Sequence, residues 1–190
     1  CAYMTTGEGL HRFIDPVDQE QYLYTQFEVA DARRMYACFE QPDLKAPWQL
    51  TIEGPAHWVV TSNAATPEPT SAREGVNRWE FPATPRMSTY ITALVAGPYH
   101  VVRDVYSGPH GDYPLGVFCR KSLAQYLDVD DILLITKQGF EFFERVFEVP
   151  YAFGKYDQLF VPEFNAGAME NAGCVTFRED YIFRSRVTSA

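Results

Sequence analysis

The chain has 190 residues, of which 46% are apolar and 15% aromatic. This composition supplies the core of one large domain or two small ones and excludes a largely disordered protein. The balance of 16 Lys and Arg against 25 Asp and Glu gives a formal net charge of −9. That balance excludes nucleic acid as the main partner, because phosphate binding needs a basic face.

Five strands are predicted in the first hundred residues. They are rich in aromatic and β-branched side chains, or alternate in polarity, and lie at 22–29, 48–53, 58–62, 76–81 and 90–96. The stretch 66–75 holds two prolines and a glycine and is predicted to be a surface loop. Closely spaced strands with turn signals predict an antiparallel β domain, sandwich-like or saddle-shaped, over residues 1–100.

The pattern changes after residue 100. Strands are predicted at 101–106, 115–119, 157–161, 174–177 and 181–183, with a helical pattern from Ser122 to Pro150. The apolar face of that helix is predicted to contain Ile132, Ile135, Phe140, Phe143, Val146 and Phe147. Its solvent-exposed face is predicted to contain Lys137, Glu141, Glu144 and Arg145. Residues 101–190 therefore read as the start of an α+β domain, and the fold class is mixed β followed by α+β.

The cysteines and the first residue of the sequence give information on the cellular compartment of the protein. Cys1, Cys38, Cys119 and Cys174 are far apart and form no Cys-x-x-Cys pair, so we expect reduced thiols. No apolar run is long enough to span a bilayer, and no membrane partner is expected. The sequence begins at Cys1 rather than Met, so the first strands of the β domain can precede it. For the same reason, the absence of a signal peptide says little about the compartment of the protein.

Residues 163–171 read Glu-Phe-Asn-Ala-Gly-Ala-Met-Glu-Asn and lie between two predicted strands. An edge strand there could pair with an extended peptide, and Gly167 and Ala168 would leave the edge unobstructed. The Glu170 carboxylate could hold a cation such as a free amino terminus. A Gly-Ala turn with a solvated glutamate is the plainer interpretation of these five residues in isolation.

The segment Gly-Ala-Met-Glu-Asn at 167–171 resembles the exopeptidase motif of the M1 family of zinc aminopeptidases, of the aminopeptidase N type and its soluble bacterial-type branch. The resemblance continues through 156–173, 176–181, 25–28, 32–34, 38–43 and 92–97. One departure is Glu-Gln-Pro at 40–42, where the family often has Asp-Glu-Pro. The implied fold for 101–190 is the beginning of a thermolysin-like catalytic domain.

The resemblance implies an enzyme that releases one residue at a time from peptides with a free N-terminus. The implied substrate-binding residues are Gln26, Glu28, Gly167, Ala168, Met169, Glu170 and Asn171. Glu170 and Glu28 would both bind the α-ammonium, while Gln26 and Met169 would shape the pocket for the first side chain. The main chain of Gly167 and Ala168 would bond the peptide backbone. Simpler structural roles stay open: Glu28 as a surface carboxylate, Gln26 as a cap of a neighbouring backbone group, and Met169 as a core residue.

The family takes zinc from a His-Glu-x-x-His helix and a later Glu. The histidines here are His11, His57, His100 and His110, and none is followed by Glu or by a second His four residues on. The zinc ligands, general base and transition-state tyrosine are therefore expected beyond Ala190. Zinc is expected in the full-length protein but not in these residues, which are predicted to be inactive alone.

Two alternatives stay open. A branch of the same family opens lipid epoxides, but it tends to carry Gln where this chain has Glu28. The second alternative is a non-catalytic β-domain protein that binds peptides or protein partners. The resemblance to the soluble bacterial-type branch favours a cytoplasmic location. Oligomeric state and preference for the first residue are not readable from the sequence.

Overall fold

The computed structural model describes residues 3–185, which form three β-sheets and one α-helix. The helix α1 is Val129–Phe147. The strands are β1 Gly9–Ile14, β2 Gln21–Gln26, β3 Thr51–Pro55, β4 Val59–Ser62, β5 Thr70–Arg73, β6 Val76–Glu80, β7 Leu94–Gly97, β8 His100–Gly108, β9 Gly111–Cys119, β10 Tyr156–Val161, β11 Ala168–Met169 and β12 Cys174–Arg178.

Residues before His100 form two antiparallel sheets. The first sheet has the order β1-β2-β7-β4 and the second has the order β3-β6-β5. Side chains alternate along a strand, so Leu23 on β2 packs with Trp79 of the second sheet while Tyr22 and Tyr24 face the other way. This is the β part of the predicted fold.

The third sheet has the order β11-β12-β10-β9-β8 and is mixed. The β8–β9 hairpin and the β11–β12 pair are antiparallel, whereas β9, β10 and β12 run parallel. Parallel neighbours need a crossover, and α1 lies in the crossover from β9 to β10. The mixed β then α+β class predicted from the sequence is confirmed.

The two faces of the third sheet pack against different partners. Phe118, Leu159 and Val161 join Tyr22 and Tyr24 of the first sheet in one core cluster. A separate cluster on the opposite face lies under α1 and contains Leu115, Val117, Leu133 and Phe160. The alternation of side chains along β9 and β10 thus places the third sheet between the first sheet and the helix.

Each face of the third sheet also holds one buried cysteine. Cys174 belongs to the cluster facing the first sheet, and Cys119 belongs to the cluster under α1. Burial raises the pKa of both thiols to about 12. Both are free thiols, as is the half-buried Cys38, which agrees with the prediction; Cys1 lies outside the described residues.

The prediction for the buried face of α1 was partly wrong. Phe147 is 67% exposed and Glu144 only 6% exposed; Ile135, Phe143 and Val146 are also exposed. The face that meets the sheet includes Leu133, Phe140 and Glu144, which lie seven and four residues apart and so share one side of the helix. One oxygen of the Glu144 carboxylate accepts a hydrogen bond from the Tyr151 main chain at 3.4 Å, and its other oxygen has no partner among residues 3–185.

Other local predictions also need correction. The stretch 66–75 contains the fully exposed edge strand β5, which pairs with β6 across a two-residue turn at 74–75. Residues 48–50 precede β3, and 89–91 form a 3-10 helix before β7. The predicted strand at 181–183 is absent, and Glu179–Tyr181 is a 3-10 helix.

Among the described residues, no helix has both the length and the apolar character to cross a membrane.

Candidate functional site

The segment 163–173 connects β10 to β12 and contains the edge strand β11. Ala168 lies opposite Phe177 and Met169 opposite Thr176, while the Arg178 main-chain N–H donates to the Gly167 carbonyl at 3.1 Å. β11 is at the end of the sheet order, so its outer edge can accept a further strand. This position agrees with the edge strand expected from the sequence.

The first sheet contacts the beginning of this segment. The Tyr24 hydroxyl donates to the Glu163 carbonyl at 3.2 Å, and the Tyr24 ring packs edge-on against Phe164. The buried His11 ring accepts at Nδ1 from the Gly7 main chain (3.0 Å) and lies 3.1 Å from Glu163 through Nε2. This arrangement suits a neutral imidazole that donates from Nε2. Burial lowers the pKa of His11, against the opposing effect of Glu163.

A buried ion cluster lies next to the end of the segment. Asp157 accepts hydrogen bonds from Thr61 Oγ1 at 2.8 Å, Arg103 at 2.6 Å and Lys155 Nζ at 2.7 Å. Lys155 Nζ also donates to the Gly173 carbonyl at 2.8 Å. The charge on Asp157 is therefore paired and fully bonded, as burial of a carboxylate requires. Thr61 brings the first sheet into this cluster.

Gln26 and Glu28 lie at the end of β2. Tyr22, Tyr24 and Gln26 share the strand face that packs against the third sheet, because side chains alternate. Gln26 is 7% exposed and its Oε1 has no hydrogen-bond partner within the described chain. Glu28 follows in a turn and is exposed.

The motif residues 167–171 have distinct environments. Glu170 is exposed, whereas Asn171 is 1% exposed and has no partner for Oδ1 among residues 3–185. Met169 is buried in the core cluster with Tyr24. Ala168 is exposed, and a Cβ at Gly167 would lie 2.9 Å from the Tyr181 hydroxyl.

Tyr24 on β2 contacts the beginning of the motif segment at Glu163 and Phe164, and Met169 of the motif lies in the same core cluster as Tyr24. Two exposed carboxylates, Glu28 and Glu170, form no ion pair with another side chain of residues 3–185. Two buried amide oxygens, on Gln26 and Asn171, lack partners in the same part of the chain. Such groups can accept hydrogen bonds from a cationic ligand.

Comparison with known proteins identifies the family. The model of the peptidase M1 N-terminal domain matches residues 5–91, and that of the peptidase family M1 domain matches residues 133–190. The chain belongs to the M1 peptidase family. An aminopeptidase N of Streptomyces lividans is 60% identical over 190 residues, covering 100% of this chain and 22% of that protein.

More distant M1 relatives match as well. Human aminopeptidase N is 32% identical over 169 residues, covering 87% of this chain and 17% of that protein. Aminopeptidase M1 of Arabidopsis thaliana is 33% identical over 173 residues, covering 91% of this chain and 19% of the relative. The chain therefore spans about a fifth of the length of these M1 relatives.

Residues 3–185 of this M1 chain do not fit a metal site. Within residues 3–185, no group of three or more His, Cys, Asp or Glu side chains could hold a metal ion. His11, the one buried histidine among these residues, is bonded to Gly7 and Glu163. No chemical step at a metal is therefore derived from this part of the chain.

Sequence reasoning did not single out His11, Asn63 or the Asp157 cluster. Their partners lie far away in the chain: His11 and Glu163 are 152 residues apart, and Thr61 and Asp157 are 96 apart. No local motif marks such pairs.

Proposed function

We propose that this chain supplies the amine-anchoring part of a metalloaminopeptidase that releases N-terminal residues from peptides. The observation that carries the proposal is the exposed Glu170 carboxylate directly after edge strand β11, which has no ion-pair partner among residues 3–185 and precedes Asn171, whose Oδ1 has no hydrogen-bond partner in that range. The names of the relatives, aminopeptidase N and aminopeptidase M1, support the same activity.

In this proposal Glu170 and Glu28 bind the α-ammonium group of the peptide. Hydrogen bonds between ions are about twice as strong as neutral ones, so a peptide with a blocked amine loses most of the anchoring. The amide oxygens of Gln26 and Asn171, which have no hydrogen-bond partner within residues 3–185, accept further N–H groups. The outer edge of Gly167 and Ala168 pairs with the peptide backbone.

The metal belongs to the proposal only at the level of the whole protein. Zinc would have to be held by residues other than 3–185, and the chemistry it would supply there is an activated water. The chain of 190 residues alone is then inactive. Turnover of an aminoacyl reporter by the 190-residue chain, abolished by a chelator, would contradict this.

The test uses the longest natural polypeptide that contains these residues. Glu170→Gln keeps the size and removes the charge, and we expect kcat/KM for an aminoacyl anilide to fall by roughly 10- to 100-fold, the value of one charge-assisted hydrogen bond. Glu28→Gln should act in the same direction. Glu68→Gln, at an exposed loop position, is the matched control. Hydrolysis of the N-acetylated reporter as fast as the free one would overturn the proposal.

A further inference from the structure

Asn63 links the first sheet to the segment that carries the motif. It follows β4, is 6% exposed, and uses both ends of its side-chain amide. Nδ2 donates to the carbonyl of Ile91 and to the carbonyl of Ala172, each at 2.9 Å. Oδ1 accepts from the Ala93 main chain at 2.8 Å. Asn63 is therefore held by two groups of its own side of the molecule and directs one donor across to the segment.

The bond to Ala172 is placed where it can orient the motif. Ala172 is buried and comes two residues after Glu170 and directly after Asn171. A buried carbonyl that loses its hydrogen-bond partner in such a place is left desolvated without compensation, which is unfavourable. The hydrogen bond from Asn63 is thus one of the directional contacts that hold the segment, in addition to apolar packing.

Gly173 shows how closely the backbones approach at this point. It has a left-handed φ of 67°, and a Cβ there would lie 2.8 Å from the Asn63 carbonyl oxygen. On its other side, the Gly173 carbonyl accepts from Lys155 Nζ and from the Asp157 main chain. Ala172 and Gly173 are therefore held from both sides, and Asn63 supplies the contact on the side of the first sheet.

We propose that Asn63 is a positioning residue for the substrate site: it fixes the end of segment 163–173 and thereby the direction of Glu170 and of the Asn171 oxygen. The effect on ligand binding rests on the proposed function. The effect on the segment does not, because it follows from the contacts of Ala172 and Gly173 alone.

The first measurement is hydrogen exchange of the longest natural polypeptide that contains these residues, followed by mass spectrometry. In Asn63→Ala we expect faster exchange in peptides covering 171–174, where Cys174 N–H donates to the Asn171 carbonyl. Ser62→Ala is the matched control, because Ser62 donates to the Ala93 carbonyl at 2.8 Å within the first sheet. Should Asn63→Ala fail to fold, Asn63→Ser, which is too short to reach Ala172, takes its place.

The second measurement compares inhibition by leucinamide with inhibition by 4-methylpentanamide, which lacks the amino group. Asn63→Ala is expected to reduce the preference for the amine about tenfold, and Ser62→Ala to leave it unchanged. General loss of stability does not change this ratio among folded molecules. If the unsubstituted protein shows no preference, the proposed function fails, and exchange alone decides the role of Asn63. If exchange at 171–174 matches that of Ser62→Ala, the role of Asn63 is overturned.

Discussion

The two faces of the third sheet are held by different kinds of contact. The face toward the first sheet combines an apolar cluster with buried directional bonds, among them those of Asp157 and Asn63. The face under α1 is covered by aromatic and aliphatic packing around Phe140, and the outer side of the helix leaves apolar side chains exposed. The motif segment belongs to the first of these faces.

The difference shows where orientation is specified. Apolar burial is favourable but non-directional, and it tolerates a helix that is rotated or shifted slightly. Hydrogen bonds and ion pairs fix angles as well as distances. Segment 163–173, which carries the candidate site, is placed by bonds of the second kind at both ends, through Tyr24 and Asn63.

The largest expected effect comes from removing Arg120 at the junction of the first and third sheets. Its guanidinium binds Glu179 through Nε at 2.6 Å and Nη2 at 2.8 Å, and Asp15 at 2.7 Å. Arg120→Ala leaves the buried Asp15 without its cation, so the free energy of unfolding should fall by about 3–5 kcal/mol. Urea denaturation measures this.

Arg178→Ala is the matched control for Arg120→Ala. Arg178 pairs with Asp180 on the surface, and removal of an exposed pair should cost under about 1 kcal/mol. Equal losses for the two variants would show that the buried junction does not stabilise this face of the sheet.

The next effect depends on pH and on His11. Burial holds its pKa below the ordinary 6.5, so below pH 6.5 the unfolded chain takes up a proton that the folded chain takes up only at lower pH. Stability is complete above pH 6.5 and falls as pH drops through the folded pKa, by at most about 1.4 kcal/mol per pH unit. Urea midpoints between pH 7.5 and 5 measure it.

His11→Gln should flatten that pH dependence, because glutamine does not titrate. His110→Gln, at an exposed turn position, should leave it unchanged. The Glu163 carboxylate is the charged group facing His11. An identical slope in the His11→Gln variant would mean that another group causes the loss of stability in this window.

The smallest effect on stability is expected on the outer side of α1. Phe143 and Phe147 stack on each other there and are more than half exposed. Phe143→Ser with Phe147→Lys should change the free energy of unfolding by under about 0.5 kcal/mol but reduce self-association of the 190-residue chain, since exposed apolar patches promote association. Sedimentation velocity reports this.

The control for the helix variants is Glu141→Gln, which leaves the apolar surface intact. If the unsubstituted chain is already a monomer that melts cooperatively, the exposed side of α1 does not drive association, and the contrast between the two faces of the sheet concerns orientation only.

The parts of the fold that follow local pattern were predictable. The alternation at 76–81 predicted β6, and the segment Asp-Gln-Leu-Phe-Val at 157–161 predicted β10. The exposed strand β5 was missed because none of its side chains is buried, so it shows no alternation in polarity. It exists because β6 offers it an edge.

The site was predictable only in part. The motif at 167–171 was recognised as a unit, but the inward direction of Glu144 and the bond from Asn63 to Ala172 depend on partners that only the folded chain brings together. The inward face of α1 was misjudged because its apolar residues surround the helix, and the sheet selects among them.

The two buried thiols allow the rate at which each face of the third sheet opens to be measured separately. The thiolate is the reactive form of cysteine, and with both pKa values raised to about 12 neither Cys119 nor Cys174 reacts until its face opens. Alkylation at Cys174 then times the separation of the first sheet, and alkylation at Cys119 times the lifting of α1. The unaltered chain thus contains its own pair of reporters for which side of the sheet is released first.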